Sequence, residues 1–180
     1  MIYMFIAEGF EEIEALCPLD IMRRAGIEVT TVGIGRKEIT GAHGITVRTD
    51  ICSREYSKVK DFDMIFLPGG MPGTLNLAAS EVVRSAIETA HKTNAYLAAI
   101  CAAPSILGDL GLLQGKEAIC YPGFEARLTG ATLSKNRVVR DGKILTAAGM
   151  GVAVEFGLAI VEEFLGKDKA EELRRGVLAD

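Results

Sequence analysis

The sequence predicts an α/β fold with a mostly parallel central sheet covered on both faces, and three observations carry that expectation. Short β-type runs alternate with longer helix-type runs along the chain. The β-type runs are continuously apolar, as strands buried on both faces are. At 49% hydrophobic and 24% charged, the 180 residues supply enough apolar material for one sizeable core, and 1–180 reads as one domain.

The elements follow in chain order. "IYMFIA" (2–7) reads as a strand. "EEIEALCPLDIMRRAG" (11–26) reads as a helix, with Ile13, Leu16, Cys17 and Ile21 at near-helical spacing and Gly26 as its stop; Pro18 predicts a kink or a break. "IEVTTVGI" is a second strand, and the glycines of "TGAHGITV", within 38–50, predict a small hairpin. "DMIFLP" and "AYLAAI" are buried strands on either side of an amphipathic helix, "SEVVRSAIETAHKT", for which Ser80 is the N-cap. "APSILGDLG" reads as a helix. After "EAIC" and a loop, "NRVVRDGKILTAA" reads as a hairpin turning at Asp141-Gly142. "GVAVEFGLAIVEEFLG" and "KAEELRRGVL" close the chain as helices.

Composition excludes some functions. The net charge is −4, and no long basic run is present that could neutralise a phosphate backbone, which argues against nucleic acid as a partner. The apolar start "MIYMFIA" lacks a basic segment before it and is followed by Glu8, Glu11, Glu12 and Glu14. Neither a signal peptide nor a membrane anchor is expected, and a cytoplasmic location follows by default. Cys17, Cys52, Cys101 and Cys120 are widely spaced with no C-x-x-C pair, so they read as free thiols.

In an open parallel sheet, ligands bind beyond the carboxyl ends of the strands. Five segments stand there: "EGFEEIE", "PGGMPG", "CAAP", "YPGF" and "GMG". A nucleophile on a sharp strand-to-helix turn needs small residues two positions before and after it, and Ala99-x-Cys101-x-Ala103 supplies them. Pro104 fits the first turn of the following helix. A thiol there meets free backbone N–H groups and the positive end of a helix dipole, which predicts a pKa below the ~8.5 of free cysteine. The alternative is a small apolar residue in a buried strand, common for free cysteines.

Pro68-Gly69-Gly70 lets the backbone approach a neighbouring turn, so the Gly70 and Ala102 N–H groups can share one developing negative charge; by itself, Gly-Gly is an ordinary strand-ending turn. One glutamate among Glu8, Glu11, Glu12 and Glu14 could face inward and share a proton with the thiol, acting as general acid and base. Local pattern does not choose among the four.

"AEGFEEIEALCPLDIMRRAGIEVT", "LPGG", "AAICAAP" and "FGLAIVEEFLGK" resemble the ThiJ/PfpI superfamily, in the branch of the parkinsonism-associated protein deglycase and its bacterial relatives. The resemblance runs over nearly the whole chain. It implies a flavodoxin-like, class I glutamine amidotransferase-like three-layer sandwich and a homodimer packed partly through the first helix. It also implies Cys101 as the reactive cysteine on the elbow and Glu14 as the protonated glutamate beside it. By the same likeness Gly69, Gly70 and Ala102 line the anion pocket, and His43 approaches that pocket across the dimer interface. Two departures stand out. Relatives commonly place histidine before the proline of the later loop, where this chain has Tyr121-Pro122, and the protease-like branch has histidine directly after the cysteine, where this chain has Ala102.

The leading expectation is an enzyme acting on small reactive carbonyls, as a glyoxalase III or protein deglycase does on methylglyoxal or its protein adducts, with no metal and no organic cofactor. Tyr121 could donate a hydrogen bond to a substrate carbonyl, or simply pack. The alternative is a redox-sensing, stress-protective or chaperone-like protein whose Cys101 is oxidised to sulfinate. A PfpI-type peptidase is disfavoured because no histidine stands beside the cysteine: His43 lies in the hairpin and His91 late in an amphipathic helix.

Overall fold

The computed structural model describes residues 1–56 and 61–179. Its elements are β1 (Ile2–Ile6), α1 (Glu12–Arg24), β2 (Val29–Gly33), β3 (Glu38–Thr40), β4 (Thr46–Arg48), β5 (Ile51–Cys52), α2 (Ser53–Tyr56), β6 (Met64–Leu67) and α3 (Gly73–Ala78). They continue with α4 (Glu81–Thr93), β7 (Tyr96–Ile100), α5 (Pro104–Asp109), β8 (Glu117–Ala118), β9 (Thr132–Leu133), β10 (Val138–Asp141), β11 (Ile144–Ala147), α6 (Ala153–Leu165) and α7 (Lys167–Gly176).

A seven-stranded sheet in the order β10-β11-β7-β6-β1-β2-β5 forms the middle layer. It is parallel except for the edge hairpin β10–β11, in which Asp141 pairs with Ile144 around the turn. Continuous apolar strands need cover on both sides, and alternate residues of β1 show how it is supplied. Ile2, Met4 and Ile6 enter one core with Leu19, Met22, Phe156 and Ile160 of α1 and α6. Tyr3, Phe5 and Ala7 enter the other with Leu77, Val83, Ile87 and Leu107 of α3, α4 and α5. The result is the α/β three-layer sandwich with a mostly parallel sheet expected from the sequence. Ser80 caps α4 by accepting the Val83 N–H, and β3 and β4 form the small hairpin. Among the described residues, no helix is long and apolar enough to cross a membrane.

Two local expectations are corrected. Pro18 neither breaks α1 nor ends it; the helix runs unbroken from Glu12 to Arg24 because tertiary packing against α6 outweighs the lost backbone bond. "EAIC" is not a strand of the main sheet: only Glu117–Ala118 is extended, and it pairs with β9 in a separate two-stranded sheet. The turn at Cys101 leads, as expected, into a helix with Pro104 in its first turn: α5 begins at Pro104 and is six residues long.

The chain leaves β1 toward β2 on one side and later fills β6 and β7 on the other. The crevice between the carboxyl ends of β1 and β6 is therefore a topological switch point, where side chains from separate turns converge.

Candidate active site

Glu14 enters that crevice from the first turn of α1. Glu11 caps the helix, its Oε2 accepting the Glu14 N–H at 2.7 Å, which fixes the turn carrying the Glu14 side chain. Glu14 is 1% exposed, and its Oε2 accepts the Gly69 N–H at 3.1 Å. The Met150 N–H is a second main-chain donor to this carboxyl.

Cys101 follows β7 in the left-handed region, at φ +65°, a conformation that costs a non-glycine residue on the order of 1–3 kcal/mol. Its main chain is tied on both sides: Cys101 N–H donates to Ala147 O at 2.9 Å, and Tyr121 N–H donates to Cys101 O at 2.7 Å. The half-buried thiol is hydrogen-bonded with Glu14 and receives the N–H groups of Ala102 and Gly70. Both predicted donors therefore converge on the sulfur itself. Gly69 leaves room for the contact: a Cβ there would lie 2.5 Å from Glu14 Oε2 and 2.7 Å from Cys101 Cβ. Gly70 adopts φ +95°, and a Cβ on it would strike the Glu11 main-chain nitrogen.

Burial pushes the Glu14 carboxyl up to about 7, with the charge of Glu11 adding to the rise and the hydrogen bonds from Cys101, Gly69 and Met150 opposing it. Burial also pushes the Cys101 thiol up, to about 12, and the Glu14 carboxylate reinforces it against the N–H groups of Ala102 and Gly70. The expectation that main-chain dipoles alone bring this thiol below the free-cysteine value is not met: α5 is short, and burial beside a carboxylate outweighs two N–H donors. The two groups titrate as a pair. One proton leaves near neutrality, and the second is held until high pH.

His43 is elsewhere in the chain's own geometry. Its Nδ1 lies 2.8 Å from Glu12 Oε2, and its main-chain N–H donates to Glu12 Oε1 at 2.7 Å. That hydrogen bond and the Glu12 charge raise the imidazole. Glu12, 4% exposed, thereby anchors the β3–β4 turn to α1. His91 lies in the last turn of α4, and neither histidine is among the partners of Cys101. Tyr121 is 51% exposed, and its ring edge lies 3.3 Å from where a Cβ on Gly149 would sit; Glu14 Oε1 is 3.7 Å from the same point. Sequence reasoning missed the Met150 N–H and the Glu11 cap. A peptide donor has no side-chain signature, and glutamate is not among the favoured N-cap residues.

An elbow cysteine paired with a buried glutamate is a specific arrangement, and comparison with known proteins is equally specific. The sequence model of the DJ-1/PfpI family matches residues 1–163. The chain belongs to the DJ-1/PfpI family. Protein dj-1beta of Drosophila melanogaster is 34% identical over 178 residues, covering 97% of this chain and 95% of that protein. The glutathione-independent glyoxalase DJR-1.2 of Caenorhabditis elegans is 32% identical, covering 92% of this chain and 89% of that one. Among solved structures, oxidized Toxoplasma gondii DJ-1 superposes with a TM-score of 0.94 at 31% identity, covering 98% of this chain and 97% of that chain. The Toxoplasma gondii structure shares the sandwich along nearly its whole length.

Proposed function

We propose that this protein is a cofactor-independent enzyme that converts small α-oxoaldehydes such as methylglyoxal, or their adducts on proteins, into hydroxy acids. The observation that carries this reading is the pairing of Cys101 with Glu14, which shares one proton near neutral pH. A relative named as a glutathione-independent glyoxalase supports it.

The chemistry follows from the pair. The Cys101 sulfur, as thiolate, adds to the aldehyde carbon, and the carbonyl oxygen takes the Glu14 proton to give a hemithioacetal. Glu14, now a carboxylate, removes the hydrogen on that carbon as a proton and returns it to the neighbouring carbonyl carbon. The hydroxyl proton of the hemithioacetal passes to the neighbouring oxygen, so the former aldehyde carbon becomes a thioester and its neighbour an alcohol, the oxidation of one balanced by reduction of the other. Water then cleaves the carbon–sulfur bond, releasing the hydroxy acid and restoring the thiol. The Gly70 and Ala102 N–H groups steady negative charge on the sulfur and on the oxygen that forms beside it. Tyr121 offers a phenolic O–H to the second carbonyl. The family likeness also supports a homodimer, with His43 approaching the neighbouring pocket.

Cys101→Ser and Glu14→Gln are each expected to lower kcat/KM for methylglyoxal by at least ~10³-fold while leaving the far-ultraviolet circular dichroism unchanged. Turnover near wild type in either variant refutes the reading. One observation favours a second reading: both N–H donors already point at sulfur, a geometry that also suits a sulfinate. A stable gain of two oxygens on Cys101 after limited peroxide, with no carbonyl turnover, would select it.

A further inference from the structure

β10 is the last strand of the main sheet, so one of its two sides has no neighbouring strand. The register decides which groups face that side. Ala148 N–H donates to Arg137 O, and the antiparallel ladder continues from Val138 opposite Ala147 to Asp141 opposite Ile144. Bonded pairs alternate along such a ladder, so residues 137, 139 and 141 bond β11 while Val138 and Arg140 turn their N–H and C=O groups outward. Among the described residues, no other group bonds the main chain of either one. β8 is joined to this strand through the Asp141 carboxylate, which takes the Lys116 ammonium and the Glu117 N–H, and it adds no rung to the ladder.

Free edges are commonly shielded by charged side chains. Here both nearby arginines are drawn aside. Arg140 Nε lies 2.6 Å from Glu163 Oε2 on α6, and Arg137 Nη2 lies 3.0 Å from the position of a Cβ on Gly151. Beside the edge runs a cleft of about 520 Å³ between β10, α6 and α7. Its apolar part is made by Val138, Leu158, Ala159 and Ala170, all buried or half-buried. An unpaired strand edge beside a helix-walled groove takes an extended peptide as a further strand: main-chain hydrogen bonds hold it, and alternate side chains enter the groove.

Charge and position narrow the occupant. Of the cations on the cleft, Arg174 is paired with Glu171, and Lys135 and Arg137 come before the strand begins. On α6 the exposed carboxylates of Glu155 and Glu162 have no hydrogen bond or ion pair among the described residues. α-Oxoaldehydes condense with amines and guanidines, so the segments that carry their adducts contain lysine and arginine, the charge these carboxylates complement. The edge also leads to the dyad. β11, paired with β10, runs into the turn Gly149-Met150-Gly151, whose Met150 N–H holds Glu14.

We propose that the free edge of β10, with the groove between it and α6, docks an extended basic segment of the protein that carries the adduct, as an added strand of the sheet. The inference deepens the carbonyl reading and rests on it for the adduct chemistry, whereas the docking rests on the edge.

The test uses the full chain and a fluorescein-labelled peptide alternating lysine with threonine, followed by fluorescence anisotropy. Saturable binding is expected. The same peptide methylated on every main-chain nitrogen keeps its charge but loses its donors, and should bind at least ~10-fold more weakly. A glutamate-for-lysine peptide should be weaker by a similar factor, and Glu155→Gln and Glu162→Gln should each weaken the lysine peptide by about threefold. Val138→Pro removes one outward N–H at the first residue of an edge strand, where proline is tolerated, and should weaken binding about tenfold with circular dichroism and methylglyoxal turnover unchanged. Equal binding of the methylated peptide, or wild-type affinity in Val138→Pro, overturns the proposal. So does a failure to bind accompanied by a self-association that Val138→Pro abolishes, which would assign the edge to a second copy. Kinetics separate the two readings. On the methylglyoxal-modified lysine peptide, Val138→Pro should raise KM about tenfold and leave kcat alone. If the peptide binds and neither it nor methylglyoxal is turned over, the docking surface stands and the carbonyl reading fails. Methylglyoxal turnover without peptide binding contradicts the docking surface and leaves the carbonyl reading intact.

Discussion

Glu14 holds the site together, and its cost appears as a pH dependence of stability. A carboxyl at about 7 in the folded chain, against about 4.5 when solvated, is stabilised in its protonated form. That contribution is fully present below about pH 4.5 and is lost as the pH rises through 7, by on the order of 3 kcal/mol. Urea unfolding at pH 5 and pH 8 should therefore show wild type losing stability relative to Glu14→Gln across that interval. A constant difference between the two proteins would contradict the shift. The sequence announced Cys101 through the alanines beside it, because an elbow demands small neighbours. It did not single out Glu14 among four nearby glutamates, since inward orientation is set by the Glu11 cap and the Gly69 contact, which only the folded chain brings together. The same blindness covers the thiol's acidity. Spacing displays the N–H donors but not the burial that outweighs them.

α1 shows how an element survives a residue that argues against it. Pro18 removes a backbone hydrogen bond within the helix, yet α1 continues because it packs closely against α6. The close approach is made at Gly157, where a Cβ would lie 2.9 Å from Ile21 Cβ and 3.1 Å from Pro18 Cα. Gly157→Val should overpack this contact and lower unfolding free energy by about 2–3 kcal/mol, despite removing a glycine from a helix interior. A denaturation midpoint equal to wild type would show that the helices separate freely. The long amphipathic and apolar segments, α4 and α6, were legible from periodicity. α3 was not, because six residues between Pro72 and Ala79 are too few to display a period. β8 is two residues long and pairs outside the main sheet for the same want of length.

At the scale of the molecule, the order of strands explains why residues 14, 69, 70 and 101 meet at all. They follow three strands of the sheet, 14 after β1, 69 and 70 after β6 and 101 after β7, and these strands are neighbours in it although far apart in sequence. The alternation of apolar strands and helices made that architecture readable without coordinates; the strand order, which depends on crossovers, was not. The proposed homodimer also belongs to this scale. Ile13, on α1 between two buried glutamates, is 48% exposed, an apolar side chain suited to cover by a second copy. Light scattering should return twice the 19.3 kDa of one chain, and a single-chain mass at micromolar concentration would remove dimerisation from the account.

The most direct measurement is the rate of iodoacetamide addition to Cys101 as a function of pH, in wild type and in Glu14→Gln. Whichever group carries the shared proton, reaction requires the pair to have lost one, so the wild-type profile should rise with a midpoint near 7, and Glu14→Gln should move that midpoint upward. A wild-type midpoint at the ~8.5 of a free thiol, unchanged when Glu14 is replaced, would mean that the two residues do not share a proton.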